Sequence, residues 1–379
     1  MWNKKGGLLL PLLLLLLVSV PGNEVAAQVS ANAQRVLDSL RRTHQLPALL
    51  AAVIEPGGIR YVHSGVRRAG YPEQVALTDY FHLGSNTKGV TSFMAARLVA
   101  QGKLLWDSKL LDVVPELRAG ALPAYAAVTL GDLLSHRAGI RPYNSGAEIQ
   151  ALPLWTGSVA RKRQLFGRFV LRQSPVAAPA GQLYAYSNAG YALAALMLER
   201  ASGRPWERLV ASTFRQLKWT YKLSFPNQHD VRQPWGHWLA QPTDSTFQAL
   251  EPTHPYRLPD FLAPAGDLAM PLPDYARFVQ LHLNGLLGQE NHLTTAAYQL
   301  LHFGRPAYAY GWGVSQLAGS NAPVSSHNGT AGTFFCHTIL FPSQRVAFVV
   351  LTNAGGPPAE KACNELRRQL KKLWLQGLL

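Results

Sequence analysis

The sequence predicts an α/β (α+β) fold: an antiparallel sheet assembled from both chain ends, flanked by helices, with a mainly helical region inserted between. Three observations carry this. Strand-like runs cluster at residues 48–67 and again at 308–354. Helical apolar spacing dominates the interval between them. And 379 residues, 47% of them hydrophobic and 15% charged, suffice for one large fold or two closely packed domains.

The first residues read as a secretion signal. Lys4 and Lys5 precede an apolar run at residues 8–20, broken by Pro11, and Val25-Ala26-Ala27 offers small residues for cleavage. The run is shorter than the ~20 residues of a membrane span, so no stable span is expected after cleavage. Retention as an N-terminal anchor is the competing reading. The expectation is a signal at 1–27 and a periplasmic or secreted protein. The sheet domain is expected from 28–82 plus 305–379, and the helical domain from 83–304.

Along the chain, "SANAQRVLDSLRRTHQ" spaces Val36, Leu37 and Leu40 as a helix. "ALLAAVIEPGGIRYVHSGVR" reads as two strands joined at Pro-Gly-Gly. "TKGVTSFMAARLVAQGKL" is a helix ending at Gly102, with Ser85 at its start. "VTLGDLLSHRAGI" predicts a short helix closed by Gly139, and "NAGYALAALMLERASG" a buried one ending at Gly203. Residues 219–264 hold many prolines, histidines and aromatics without a period, and predict long ordered loops. Another helix follows in "PDYARFVQLHLNG". Strands return in "YAYGWGVSQL", "APVSSHNGTAGTFFCHTILF" and "VAFVVLTNA", with "PSQ" as a hairpin turn. The last segment is amphipathic through Ala362, Leu366, Leu370 and Leu373, and is expected to cover one face of the sheet. A membrane-surface helix is the alternative.

The formal net charge is +15. Apart from "RKR" at 161–163 and "LRRQLKKLW" at 366–374, the basic residues are scattered, and no nucleic-acid motif accompanies them. The charge instead implies attraction to an anionic cell-wall polymer or to lipid head groups. Two cysteines, Cys336 and Cys363, make no disulfide framework; one bridge and two buried thiols both remain open.

Three short motifs carry the chemistry. Ser85-Asn86-Thr87-Lys88 opens a helix, Tyr186-Ser187-Asn188 precedes another, and His327-Asn328-Gly329 lies on a late strand. A serine hydroxyl needs a nearby base to become a nucleophile. Residues i and i+3 share a helix face, so Lys88 can stand beside Ser85, and burial near other cations would lower its pKa. Taken singly, each residue has a plainer reading. Ser85 can cap its helix, Tyr186 can be a core aromatic, and His327 can sit idle on a strand. No serine lies in Gly-x-Ser-x-Gly, which argues against an α/β-hydrolase. The twelve histidines include no His-x-His and no His-Glu-x-x-His, so no metal is expected.

In this order the motifs resemble the serine penicillin-recognising family: class C β-lactamases, DD-peptidases, D-aminopeptidases and related esterases. The resemblance runs over about 30–375. It includes "LLSHRAGI" at 133–140, "PAGQLYAYSN" at 179–188, "PAGDLAMPLPDYARF" at 264–278 and "YGWGV" at 310–314. It implies a β-lactamase/transpeptidase-like fold and an exported serine hydrolase working through an acyl-enzyme on Ser85. Lys88 and Tyr186 would be catalytic, with Tyr186 acting as a phenolate or as a proton relay. Asn188, His327, Gly329 and Thr330 would bind substrate, and the Ser85 and Thr330 N–H groups would form an oxyanion hole. Gly329 would leave room for substrate along the strand edge. His136 would help shape the site. The third motif departs from the lysine usual in β-lactamases and DD-peptidases; a histidine there resembles D-aminopeptidases and some esterases. The implied substrate is a small molecule or short peptide, with no cofactor. The non-enzymatic rival is a protein that binds cell-wall peptides.

Overall fold

The structure is a computed structural model that describes residues 2, 27–28, 30–241, 244 and 246–379; the signal expected at 1–27 lies almost wholly outside them. Its centre is a seven-stranded sheet. The strands are β1 (Ala27–Gln28), β2 (Ala48–Glu55), β3 (Gly58–Gly65), β4 (Gly313–Gln316), β5 (Pro323–Thr330), β6 (Phe335–Phe341) and β7 (Val346–Thr352). They lie in the order β1-β3-β2-β7-β6-β5-β4, antiparallel except for β1 beside β3.

Pairing of β2 with β7, from Leu49↔Thr352 to Ile54↔Ala347, joins the two chain ends. β2 is buried almost throughout, which is why it reads as a continuous apolar run and not as an alternation. β4 pairs only with residues 323–326 of β5, so among the described residues the same edge of β5 is unpaired from His327 to Thr330.

Helices cover both faces. On one, α1 (Ala31–Thr43) and the C-terminal α9 (Pro357–Leu375) close a core of Leu37, Val53, Phe348, Leu366 and Leu370. Ala362, Leu366 and Leu370 are fully buried, and each buried leucine is worth about 1.5–3 kcal/mol. The amphipathic stripe of α9 therefore covers the sheet, as expected. Among the described residues no helix is long and apolar enough to cross a membrane.

The opposite face meets the helical region, chiefly through α7 (Leu272–Leu286), in one continuous core. At the centre of that region lie α2 (Thr87–Ala100) and α5 (Asn188–Ser202), both enclosed on nearly every side, α2 with Lys88, Thr91 and Ser92 among its buried residues. Ser187 caps α5 by accepting from the Gly190 N–H at 3.0 Å, and Gly203 ends it at φ 69°. α4 (Val159–Val170), α6 (Trp206–Leu217) and α8 (Thr295–Phe303) surround them.

Two expectations are corrected. The short helix α3 (Leu130–Leu134) stops well before Gly139. His136 takes φ 61°, and the N–H groups of His136 and Arg137 return to Leu133 and Asp132, a Schellman closure that ends the helix early. The stretch 219–264 is mostly loop but contains a short pair, His237–Trp238 with Gln248–Ala249, and a further short strand. Lys222–Leu223 and Tyr80–His82 flank Leu268–Pro271 in a small sheet that leads straight into the Ser85 turn.

The cysteines are both free and buried. Cys336 belongs to the core on the helical side and Cys363 to the core on the α1/α9 side. The sheet separates the two thiols.

Candidate active site

The three motifs converge where the helical region meets the open edge of β5. Ser85 occupies a one-turn 3-10 segment, Gly84–Asn86, directly before α2. Gly84 is held at φ +52°, and a Cβ there would lie 2.6 Å from the Thr330 nitrogen. Only glycine lets the Ser85 turn press against the end of β5. Asn86 donates to the Cys336 carbonyl, and Thr87 donates to the Gly84 carbonyl at 2.7 Å while accepting from the Leu268 N–H. The middle residues of the Ser-x-x-Lys motif thus lock the turn.

Lys88 is fully buried, and its Nζ has three partners: Ser85 Oγ at 3.1 Å, Asn188 Oδ1 at 2.8 Å and the Ala265 carbonyl at 2.8 Å. Burial pushes its pKa well below the lysine range. A neutral amine has two N–H groups and one lone pair. Two partners are acceptors only, so in the neutral form of the amine the lone pair would fall to Ser85, whose hydroxyl would donate to it.

The Tyr186 ring lies under Lys88 Nζ at 4.6 Å. Burial raises its phenol above the ordinary tyrosine value, and Ser85 acts to lower it by less. Of the two expected forms of Tyr186, phenolate and relay, this surrounding favours the neutral relay.

The backbone around Tyr186 is clamped on both sides. The His136 carbonyl accepts from the Ala185 N–H at 3.0 Å, and His136 Nδ1 accepts from the Ser187 N–H at 3.1 Å. The imidazole ring lies 4.2 Å from the Tyr186 ring. Asn144 donates to the Tyr186 carbonyl and accepts from the Asn188 N–H. Asn188 gives its amide N–H to the Tyr143 carbonyl at 3.2 Å while its Oδ1 holds Lys88.

His327 is buried, its pKa pushed down to about 3 mainly by desolvation and then by Lys88. Its Nδ1–H donates to the Asn328 carbonyl at 2.7 Å, which leaves Nε2 to accept from the Tyr308 hydroxyl at 2.9 Å. It is a neutral wall and not a cation.

Gly329 departs from expectation. A Cβ there would meet the Leu83 carbonyl at 1.9 Å and Asn86 Nδ2 at 2.7 Å. Its missing side chain makes room for the Ser85 turn behind the strand, not for substrate along the edge.

A cavity of about 430 Å³ opens at this junction, lined by Ser85, Asn188, Thr330, Tyr256 and Arg257 among others. Its floor includes a pair the motif reading missed. His82 Nδ1 accepts from the Gly84 N–H at 3.1 Å, and His82 Nε2 faces Asp267 at 3.1 Å, fixing the backbone just before Ser85. Burial raises the Asp267 carboxyl. Asp267 lies within the segment "PAGDLAMPLPDYARF" and His82 three residues before Ser85, whereas Asn144 and Tyr308 carry no local signal. Among the described residues no group of three or more His, Cys, Asp or Glu side chains could hold a metal.

A family model described as Beta-lactamase matches residues 33–372. Penicillin-binding protein 4 of Amycolatopsis lactamdurans is 26% identical over 343 residues, covering 86% of this chain and 85% of that protein. The D-alanyl-D-alanine-carboxypeptidase/endopeptidase AmpH of Escherichia coli K12 is 24% identical over 327 residues, covering 80% and 79%. The octameric penicillin-binding protein homologue from Pyrococcus abyssi superposes with a TM-score of 0.70 at 17% identity, over 91% of this chain and 77% of that one.

Proposed function

The chain belongs to the beta-lactamase family, and from that premise we propose that it is a serine hydrolase working through an acyl-enzyme on Ser85. The observation that carries the reading is the wiring of Lys88. The buried Nζ stands 3.1 Å from Ser85 Oγ and is held by two carbonyl acceptors, so that in its neutral form it would turn its lone pair to the Ser85 hydroxyl.

Ser85 Oγ attacks the acyl carbon as its proton passes to Lys88. The carbonyl oxygen gathers negative charge beside the Ser85 and Thr330 N–H groups at the cavity wall. Tyr186 donates its proton to the leaving group as the scissile bond breaks, and recovers one from Lys88. In the second half a water gives its proton through Tyr186 toward Lys88 and attacks the ester. Ser85 leaves as a reprotonated alcohol.

The substrate is an ester, amide or small peptide that enters along the unpaired edge of β5. His327 presents no positive charge there, which favours esters and D-amino-acid amides over efficient β-lactam hydrolysis. The protein acts after export, in the periplasm or outside the cell.

Intact-mass measurement after treatment with a fluorophosphonate tests the reading. The wild type is expected to gain one adduct and Ser85→Ala none. No adduct on folded protein would sink it and leave a protein that binds cell-wall peptides without turning them over.

A further inference from the structure

A second cavity, of about 460 Å³, lies beside the C-terminal half of α2. Ser85 precedes the other end of that helix, and Arg97 stands about 15 Å along the axis from Thr87. The wall carries Arg97, Lys103, Arg204 and Arg215, with Ser212 and Thr213 as hydroxyl donors, and no carboxylate. Among the described residues none of the four cations forms an ion pair. Arg97 is half-buried and bonds only neutral groups, Gln216 Oε1 at 2.7 Å and Thr213 Oγ1 at 3.5 Å. Burial lowers its pKa, and no carboxylate offsets that cost.

Helix ends supply a plainer account of some of this charge. α2, α5 and α6 terminate at Ala100, Ser202 and Leu217, beside the cavity. Each C-terminus carries roughly half a negative charge, about −1.5 in all. Four full positive charges exceed that by more than two. The surplus is concave, hydroxyl-lined and open to solvent. Three of the four cations are guanidinium forks, whose geometry matches phosphate oxygens.

We propose that this cavity binds a phosphate-rich polyanion and holds the protein on such a polymer while the Ser85 cavity stays free. The occupant is a chain that can enter a cleft, since a planar lipid surface would leave the concave wall uncovered. The site does not depend on Ser85 being catalytic.

Binding of fluorescently labelled inorganic polyphosphate, measured by anisotropy at low and physiological salt, tests this. K103Q/R204Q/R215Q is expected to weaken binding about tenfold or more and to flatten the salt dependence. The charge-matched variant R42Q/R368Q/K372Q, at exposed residues on α1 and α9, is expected to change it by less than about threefold. Arg97→Gln alone should also weaken it, with thermal melts confirming that each variant is folded. Equal losses in the two triple variants would overturn the site in favour of general attraction to a basic protein. So would absence of polyphosphate binding. Cavity-dependent capture of phosphatidylglycerol vesicles without polyphosphate binding would overturn it in favour of a lipid surface.

Discussion

Lys88 is buried with only desolvation acting on its pKa; no carboxylate offsets the loss of water. Burial favours the neutral amine, the form that can act as a base, and falling pH favours the cation. The sign of the pH profile follows. Rate is retained above the depressed lysine pKa and lost as pH drops through it. For a chromogenic ester, kcat/KM is expected to reach its plateau well below the ordinary lysine value near 10.4. Lys88→Met should cost about 10²–10⁴-fold in kcat/KM without that acid limb. A wild-type rate still rising tenfold per unit toward pH 10 would mean that Lys88 is an ordinary charged lysine and that another group serves as base.

The decisive contact between elements is the one between β5 and the Ser85 turn. Gly84 faces the backbone of Gly329 and Thr330 there, and Gly329 faces the Leu83 carbonyl and Asn86, at distances no Cβ tolerates. Gly329→Ala must push the turn and strand apart. Overpacking of this kind costs about 1–3 kcal/mol, and the shift would carry Ser85 away from Thr330. The expected outcome is a lower Tm together with slower fluorophosphonate labelling. An unchanged Tm with a raised KM would instead restore the reading of Gly329 as substrate room. The early end of α3 is a similar case. A Schellman closure at His136 turns what looks like one helix into a bracket for Ala185 and Ser187.

Across the whole molecule, buried histidines set the response to acid. His282 and His327 are pushed down to about 3, and His237 and His337 to about 4, chiefly by burial. His136 and His302 lie well below the usual value. In the unfolded chain each titrates near 6.5, so below that pH the unfolded state binds more protons. Their contribution to stability is intact above 6.5 and is lost progressively as pH falls toward 3–4. Unfolding at pH 5 is expected to take up on the order of five protons. Calorimetry in buffers of different ionisation enthalpy reads this directly. A Tm that stays flat between pH 6.5 and 5 would show that these rings are protonated in the folded protein.

By itself the sequence determined the periodic parts: the apolar run of β2, the stripe of α9, the enclosed α2 and α5, and the three motifs that mark the site. These are local patterns, and side-chain spacing suffices to express them. Ser85, in the turn that opens α2, and Lys88, in its first turn, are three residues apart, so their meeting was legible from spacing alone. Only the tertiary structure decided the contacts between distant segments. Asn144 reaches Tyr186 across 42 positions, and His82 meets Asp267 across 185. The void at Gly329 faces a turn more than two hundred residues earlier in the chain. The protonation of Lys88, Tyr186 and His327 also belongs to the tertiary structure. Residue type gives each group its ordinary pKa, and the depth of burial around it decides how far that value moves.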